Sequence, residues 1–380
     1  MRIFLFSEKK VIYFLLCCGC VTISFNVAAI AAALPSISSS LNLPDFLVAR
    51  IIPFYMIPYG IGALMYAPIT QYFSYKKILA VSLGLYVISC LICATANSLA
   101  LLLLGRVLMG ISASSAIPLG LILIGQLFEK EVRGRLVGFF FSSSFFASIA
   151  GIVLTGIADW RWLFYIPAVM GTATALTIIL FKSEFFTQIH GTEVNYLRAI
   201  NVPTIRNIFL FIFVVSSLYH GVQQWLGVYF HHIYHLDKMA ISFFFMLTAV
   251  GGAVGQILGG YLSDKKGRYA ACLTGILILA FATMMLWGTY PLLVLGGILI
   301  LFSVGWTVGH NGLSTVLTDF PEQHRPEIAS LNSAVRFVSG GVGFQLSSLF
   351  VERSFGLTFF TIGFFMLILA FLLQKIVPSK

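Results

Sequence analysis

Two arginines, Arg106 and Arg336, lie inside long apolar stretches of this chain. A charge at the centre of such a stretch costs about 2.5–3.5 kcal/mol even on insertion scales. A cation kept there faces the interior of a helix bundle and pairs with carbonyls, an aromatic face or an anionic group of a ligand. Arg106 therefore reads either as a ligand-binding cation or as a brace between helix backbones; Arg336 reads as a brace. Another apolar stretch carries His220-Gly221-Val222-Gln223-Gln224-Trp225 near its centre, and a later one carries Trp306 and His310-Asn311. Imidazole exchanges protons near neutrality, amides donate and accept, and apolar walls bearing a few polar groups make a small-molecule site. The competing reading of each amide is an interhelical hydrogen bond worth about 0.6 kcal/mol, and of each tryptophan simple packing.

Metal and enzyme chemistry find little support. His231, His232 and His235 form the one metal-like cluster, without carboxylate or thiolate partners, so no metal site is expected. No HExxH, GxSxG or paired helical carboxylates occur, so no catalytic residue and no cofactor are assigned. The six cysteines all lie in apolar segments, and Cys90 and Cys93 read as packing residues.

The elements that position these groups follow from composition. The 380 residues are 59% hydrophobic and 9% charged, with a mean hydropathy of +0.97. Soluble domains are about 25% charged, so a water-soluble protein is excluded. A membrane-spanning helix takes about 20 apolar residues. The apolar stretches are continuous and not alternating, which excludes a β-barrel. Hydropathy and breaker residues give twelve helices, near 11–34, 47–70, 78–96, 98–127, 135–157, 162–181, 207–230, 240–262, 270–288, 291–318, 328–350 and 356–376. The stretch from Val11 to about Leu34 is too long for a signal peptide and reads as a retained first helix.

The formal net charge of +10 sits in short interhelical loops and not in a patch or tail, which argues against nucleic acid. With the N-terminus in the cytoplasm, seventeen of the 23 Lys and Arg face inward, and only Arg50, Arg161, Lys238 and Arg353 face outward. That asymmetry supports an even number of spans with both termini cytoplasmic. The one long connection is 182–206, which divides the chain into six-helix bundles at 1–181 and 207–380.

The bundles retain traces of a repeat. Ala67-Pro68-Ile69-Thr70-Gln71 after the second helix answers to Gly260-Tyr261-Leu262-Ser263-Asp264 after the eighth. Phe128-Glu129-Lys130-Glu131-Val132-Arg133 answers to Phe320-Pro321-Glu322-Gln323-His324-Arg325, and Leu101–Gly105 to Leu292–Gly296, all at nearly one offset.

Over its whole length the sequence resembles the major facilitator superfamily. Gly260-Tyr261-Leu262-Ser263-Asp264-Lys265-Lys266-Gly267-Arg268 is similar to that family's loop signature, and Arg106 with Gly110 resembles its fourth-helix arginine motif. Gly151-Ile152-Val153-Leu154-Thr155-Gly156, Asp159-Trp160-Arg161-Trp162 and Ala33-Leu34-Pro35 resemble the twelve-helix drug:proton antiporter branch. Ile152 and Thr155 depart from that branch's pattern, and Asn26 stands where relatives often carry Asp. The resemblance implies an all-α membrane protein with twelve transmembrane helices in two pseudo-symmetric six-helix bundles, the major facilitator fold. Helices one, four, seven and ten would then line a cavity near the midplane. Asn26, Arg106, His220, Gln223, Gln224, Trp306, His310 and Asn311 would converge there as substrate-binding residues.

Asp264 at a helix end can accept from backbone N–H groups or pair with Arg133, and Gly267 permits a tight turn. With Lys265 and Arg268 these residues would bias the conformational equilibrium, while the small faces at Gly151 and Gly156 allow helices to slide. All thirteen acids fall outside helix centres. Proton-coupled exporters normally carry a buried carboxylate there, so the coupling candidates reduce to His220 and Asp159. A cavity without carboxylates disfavours organic cations and favours neutral or anionic amphiphiles. The expected activity is secondary transport of a drug-like or metabolite molecule by alternating access, as an exporter in a bacterial inner membrane. Uncoupled uniport or import of a neutral metabolite is the alternative, with a membrane-embedded enzyme or a transport-dead sensor behind it. The expected partners are a small-molecule substrate, membrane lipid and, where transport is coupled, protons. A monomer is expected.

Overall fold

The computed structural model describes residues 2–187, 194–318, 320 and 325–376, so 188–193 of the expected linker and the acids Asp319 and Glu322 lie outside the described residues. The first half comprises α1 (Arg2–Ser24), α2 (Ala29–Leu41), α3 (Asp45–Val48), α4 (Pro53–Ile69), α5 (Tyr75–Ala94), α6 (Leu99–Ala113), α7 (Ala116–Leu127), α8 (Lys130–Ile157) and α9 (Trp162–Leu180). Two short helices, α10 (Glu184–Thr187) and α11 (Tyr196–Ile200), occupy the connection. There follow α12 (Pro203–Gln223), α13 (Leu226–Tyr234), α14 (Lys238–Lys266), α15 (Arg268–Met285), α16 (Leu292–Thr318), α17 (Arg325–Val351) and α18 (Phe355–Leu372). Among the described residues there is no strand. Among the described residues eleven helical runs are long and apolar enough to cross a bilayer, and the pair Glu8–Ser24 with Ala29–Leu41, bent by 41°, makes a twelfth when taken as one span. Packing divides the chain into two compact units, Met1–Asn195 with Ala329–Val338, and Tyr196–Ile328 with Ser339–Lys380.

Polar side chains start the helices where the chain leaves the hydrocarbon. Ser74, Ser98 and Ser354 accept from the N–H groups of Lys77, Leu101 and Leu357, and Asp237 accepts from that of Ala240 at 2.8 Å. Each satisfies one orphan donor of the first turn. Gly267, between α14 and α15, has φ of 86°, a region that side chains with a Cβ avoid.

The first, fourth and seventh helices, expected to be continuous, are each interrupted. At 25–28 the Val27 N–H turns back to the Ser24 carbonyl, and the Tyr86 hydroxyl donates to the Thr22 and Ile23 carbonyls, both at 3.4 Å. Helix α8 follows this bend with Ser144, Ser148 and Gly151, spaced to share one face. Ser144 bonds Ser24 through their hydroxyls at 2.6 Å, Ser148 donates to the Ser24 carbonyl at 3.0 Å, and a Cβ on Gly151 would overlap the Phe25 carbonyl.

Between α6 and α7, Pro118 has no N–H to give the Ser114 carbonyl. Ser112, Ser114 and Ser115 also turn their hydroxyls onto carbonyls of Leu108, Ile111 and Ser112, a pattern that bends helices. Between α12 and α13 the Trp225 N–H bonds the Val222 carbonyl at 3.0 Å, one residue tighter than an α-turn. Its indole N–H donates to Ser347 Oγ at 2.9 Å, and its ring stacks on Phe344 at 4.4 Å. Hydropathy sums side-chain preferences and carries no record of where backbone bonds lapse, so it reads across all three interruptions.

The bend at 25–28 depends on the missing Cβ at Gly151. Gly151→Leu places carbon on backbone that cannot rotate away, at an expected cost of more than about 2 kcal/mol. The check is a lowered thermal midpoint of the purified protein in detergent. Gly138→Leu on the same helix, where a Cβ meets nothing within 4 Å, leaves the midpoint unchanged.

Candidate functional site

In the first unit the chemistry centres on Arg106, which is 2% exposed on α6. Its Nε donates to the Ile51 carbonyl at 3.1 Å, and its guanidinium lies over the Tyr55 ring at 4.1 Å. The Ile51 carbonyl is available because the Tyr55 N–H bonds Ile52 at the tightened start of α4. Helices α4 and α6 approach closely here, since a Cβ on Gly110 would overlap the Tyr55 carbonyl. Arg106 Nη1 and Tyr55 Oη are both buried and meet no acceptor or donor among the described residues, and no carboxylate pairs with Arg106 there. The ring of Tyr59, one turn beyond Tyr55, stacks on Phe337 at 3.7 Å. The result is a buried cation and a buried phenol, one brace bond already made, with donor capacity left over.

The second unit assembles an aromatic and imidazole wall. Tyr219 on α12 stacks on Trp306 of α16 at 3.8 Å with planes 2° apart, and on Phe302 at 5.2 Å. The His220 and Trp306 rings meet edge to face at 5.9 Å, and His310 lies 5.5 Å from Trp306 on its own helix. Residues 302, 306 and 310 recur every fourth position and so form one stripe of α16. Gln223, one turn beyond Tyr219, has a buried Oε1 without a hydrogen-bond donor among the described residues. Of the expected site residues, His220, Trp306 and His310 are thus brought together. Tyr219 and Phe302 here, and Tyr55 beside Arg106, complete these clusters and were not singled out from the sequence.

The remaining candidates sit apart from these clusters within their own units. Asn26 is fully buried at the 25–28 bend, its amide nitrogen donating to the Leu163 carbonyl at 3.4 Å. Asn311 lies against α14, where a Cβ on Gly259 would come within 3.0 Å of its own Cβ. Gln224 is buried at the α12–α13 interruption. Asp159 is at the surface, accepting from the Arg161 N–H at 2.9 Å and pairing with its guanidinium at 3.9 Å. Arg133 Nε donates to the Phe128 carbonyl at 2.7 Å, and Gly156 is buried on α8. Asp264 and Lys265 are exposed at the end of α14, with the Lys265 amine over the Tyr261 ring at 4.5 Å, and Arg268 begins α15. Arg336 donates to Asn332 Oδ1 at 2.7 Å, one turn back on α17. His231 and His232 meet edge to face at 5.7 Å, and no group of three metal-ligating side chains occurs among the described residues.

The family model of the Major Facilitator Superfamily matches residues 16–344. The chain belongs to this superfamily. An uncharacterized superfamily-type transporter of Bacillus subtilis, YwfA, is 24% identical over 79% of this chain and 75% of its own length. The efflux pump notK of an Aspergillus species is 29% identical over 38% of the chain, which spans only 27% of that protein. The crystal structure of a bacterial homologue of the human lysosomal transporter Spinster, inward-facing and unoccupied, superposes with a TM-score of 0.77 at 16% identity, covering 97% of this chain and 98% of the other. Sequence and fold together make this a multi-pass membrane transporter of the superfamily.

The two roles of Arg106 separate by atom. Arg106→Lys cannot hold the Ile51 carbonyl and the Tyr55 face with one compact ammonium, so it lowers the thermal midpoint. Tyr55→Phe removes a hydroxyl that bonds nothing among the described residues and leaves the midpoint unchanged. A rise of several-fold in KM for transport by Tyr55→Phe, with kcat held, identifies that hydroxyl as a substrate contact; an unaltered KM excludes it.

Proposed function

We propose that this superfamily member exports a small neutral or anionic amphiphile across an inner membrane by alternating access between its two six-helix halves. The observation that carries this reading is the polarity of the groups within its spans. Asn26, Arg106, His220, Gln223, Gln224, Trp306, His310 and Asn311 include cations, amides and aromatic rings but no acid. Arg106 and Tyr55 offer donors to an acceptor on the substrate, and the Tyr219–Trp306 stack offers an aromatic face to its apolar body. The name of the efflux pump relative supports the outward direction. The excess of Lys and Arg in alternate loops supports termini in the cytoplasm.

In this mechanism His220 takes up the coupling proton, because Asp159 is exposed and engaged by Arg161. Asp264, Lys265, Gly267, Arg268 and Arg133 bias the cytoplasmic side towards closure. Gly151 and Gly156 keep the α8 face smooth enough to slide. The lack of any acid at a helix centre also favours a second reading, uncoupled uniport.

Flux of a substrate panel in proteoliposomes, with and without an imposed pH gradient, separates the two. The coupled exporter moves neutral and anionic amphiphiles faster under the gradient, and His220→Ala abolishes that stimulation while leaving downhill flux. Gradient-independent flux in the wild type establishes uniport. Transport confined to organic cations rejects the electrostatic argument.

A further inference from the structure

The second unit also carries a groove of about 500 Å³ between α12, α17 and α18, remote in sequence from the His220–Trp306 stripe apart from its α12 wall. It exists because α17 touches α12 backbone to backbone: a Cβ on Gly343 would overlap the Ser217 carbonyl. Its rim is formed by Leu346, Phe350, Leu357 and Phe365, which are 56%, 58%, 60% and 51% exposed. Apolar side chains exposed along membrane spans face acyl chains, so the groove opens into hydrocarbon and not into water.

Three hydroxyls in its lining are turned onto backbone carbonyls, while Ser217 Oγ on α12 is buried and meets no hydrogen-bond partner among the described residues. Thr358 donates to the Ser354 carbonyl at 2.7 Å, Thr361 to that of Leu357 at 2.8 Å, and Ser347 to that of Phe344 at 2.9 Å. What remains for an occupant is a wall of hydrocarbon with the single Ser217 hydroxyl on its α12 side. The mouth differs. Arg353 lines it from the three-residue link between α17 and α18, exposed and without a side-chain partner among the described residues. Glu352, beside it in the link, does not line the groove. From Ser354 at the mouth to Phe365 at the deep end, the α18 wall is about 16 Å long at 1.5 Å per residue. That is about half of a hydrocarbon core roughly 30 Å thick, the depth of one leaflet.

We propose that the groove holds an acyl chain of an anionic phospholipid drawn from the leaflet on the side of the α17–α18 link, with the lipid phosphate on Arg353. Chain length, wall chemistry and the cation at the mouth each match one part of that molecule. A zwitterionic lipid fits the wall but gains less from the cation, since an interfacial Lys or Arg attracts anionic lipid by about 1 kcal/mol, a preference of about fivefold.

The test is native mass spectrometry of the purified full chain titrated with phosphatidylglycerol or phosphatidylcholine of identical acyl chains. The wild type retains one phosphatidylglycerol with about fivefold preference over phosphatidylcholine. Arg353→Gln equalises the two lipids, and Arg353→Lys keeps the preference. Thr361→Trp, which fills the groove below the mouth, loses the first bound molecule of both. Equal affinity in the wild type, a preference that survives Arg353→Gln, or full occupancy in Thr361→Trp overturns the proposal. Displacement of the lipid by millimolar inorganic phosphate also overturns it, since Arg353 would then be an anion site that needs no chain. If Thr361→Trp fails to elute as a single species, Arg353→Gln still decides, because Arg353 is exposed in the link between α17 and α18.

Discussion

A bilayer offers no water to a backbone group that loses its helical partner, so each interruption of a span must be met by another part of the protein. Much of the polar chemistry inside this chain answers that demand. Tyr86 serves the carbonyls at the first bend, Ser148 serves Ser24 beside it, and Arg106 serves Ile51 where α4 begins. Trp225 is pinned by Ser347 at the interruption of α12 and α13. A polar residue in a span is thus first a backbone partner, and only its surplus atoms are open to a ligand. For Arg106 that surplus is Nη1, with the phenol of Tyr55 beside it.

What could be read from residues alone follows from the same physics. The number of spans and the fold class were legible because lipid imposes long apolar runs. The interruptions were not, since a hydropathy window is blind to hydrogen bonds, although Pro118 four residues after Ser114 and the Ser144, Ser148, Gly151 spacing were present as local signals. His220, Trp306 and His310 stood out because their polar atoms are costly in hydrocarbon. Tyr219, Phe302 and Tyr55 did not, because an aromatic ring in an apolar helix reads as simple packing. Asn311 was grouped with His310 by adjacency, yet neighbouring helix positions point about 100° apart, and Asn311 lies against Gly259 of α14.

The internal repeat is clearer in architecture than in chemistry. The opening spans of both halves break near their middle, α1 from α2 and α12 from α13, but with different partners. A tyrosine and a serine face answer the first, and a stacked tryptophan answers the second. The fourth span breaks in the first half, with Pro118, whereas α16 runs unbroken for 27 residues. Close packing accompanies this continuity: Gly305 and Gly309 of α16 meet Gly275 of α15 backbone to backbone. An unbroken helix is a firm platform for the Phe302, Trp306 and His310 stripe, while the break between α6 and α7 places Arg106 on a shorter segment.

The scarcity of acids then bears on how a proton could be carried at all. A charged imidazole within a span needs a negative partner, and the usual carboxylate is absent from every helix centre. Aromatic faces provide a weaker substitute, because a ring attracts a cation within about 6 Å of its centroid. His220 lies 4.9 Å from the Tyr219 ring and 5.9 Å from Trp306. In the proposed mechanism the Tyr219–Trp306 stack therefore serves twice, as an apolar wall for substrate and as the counter-field for a transient imidazolium. A bound anionic substrate would complete that field. Proton uptake and substrate occupancy would then favour each other, and no resident carboxylate would be needed to link them.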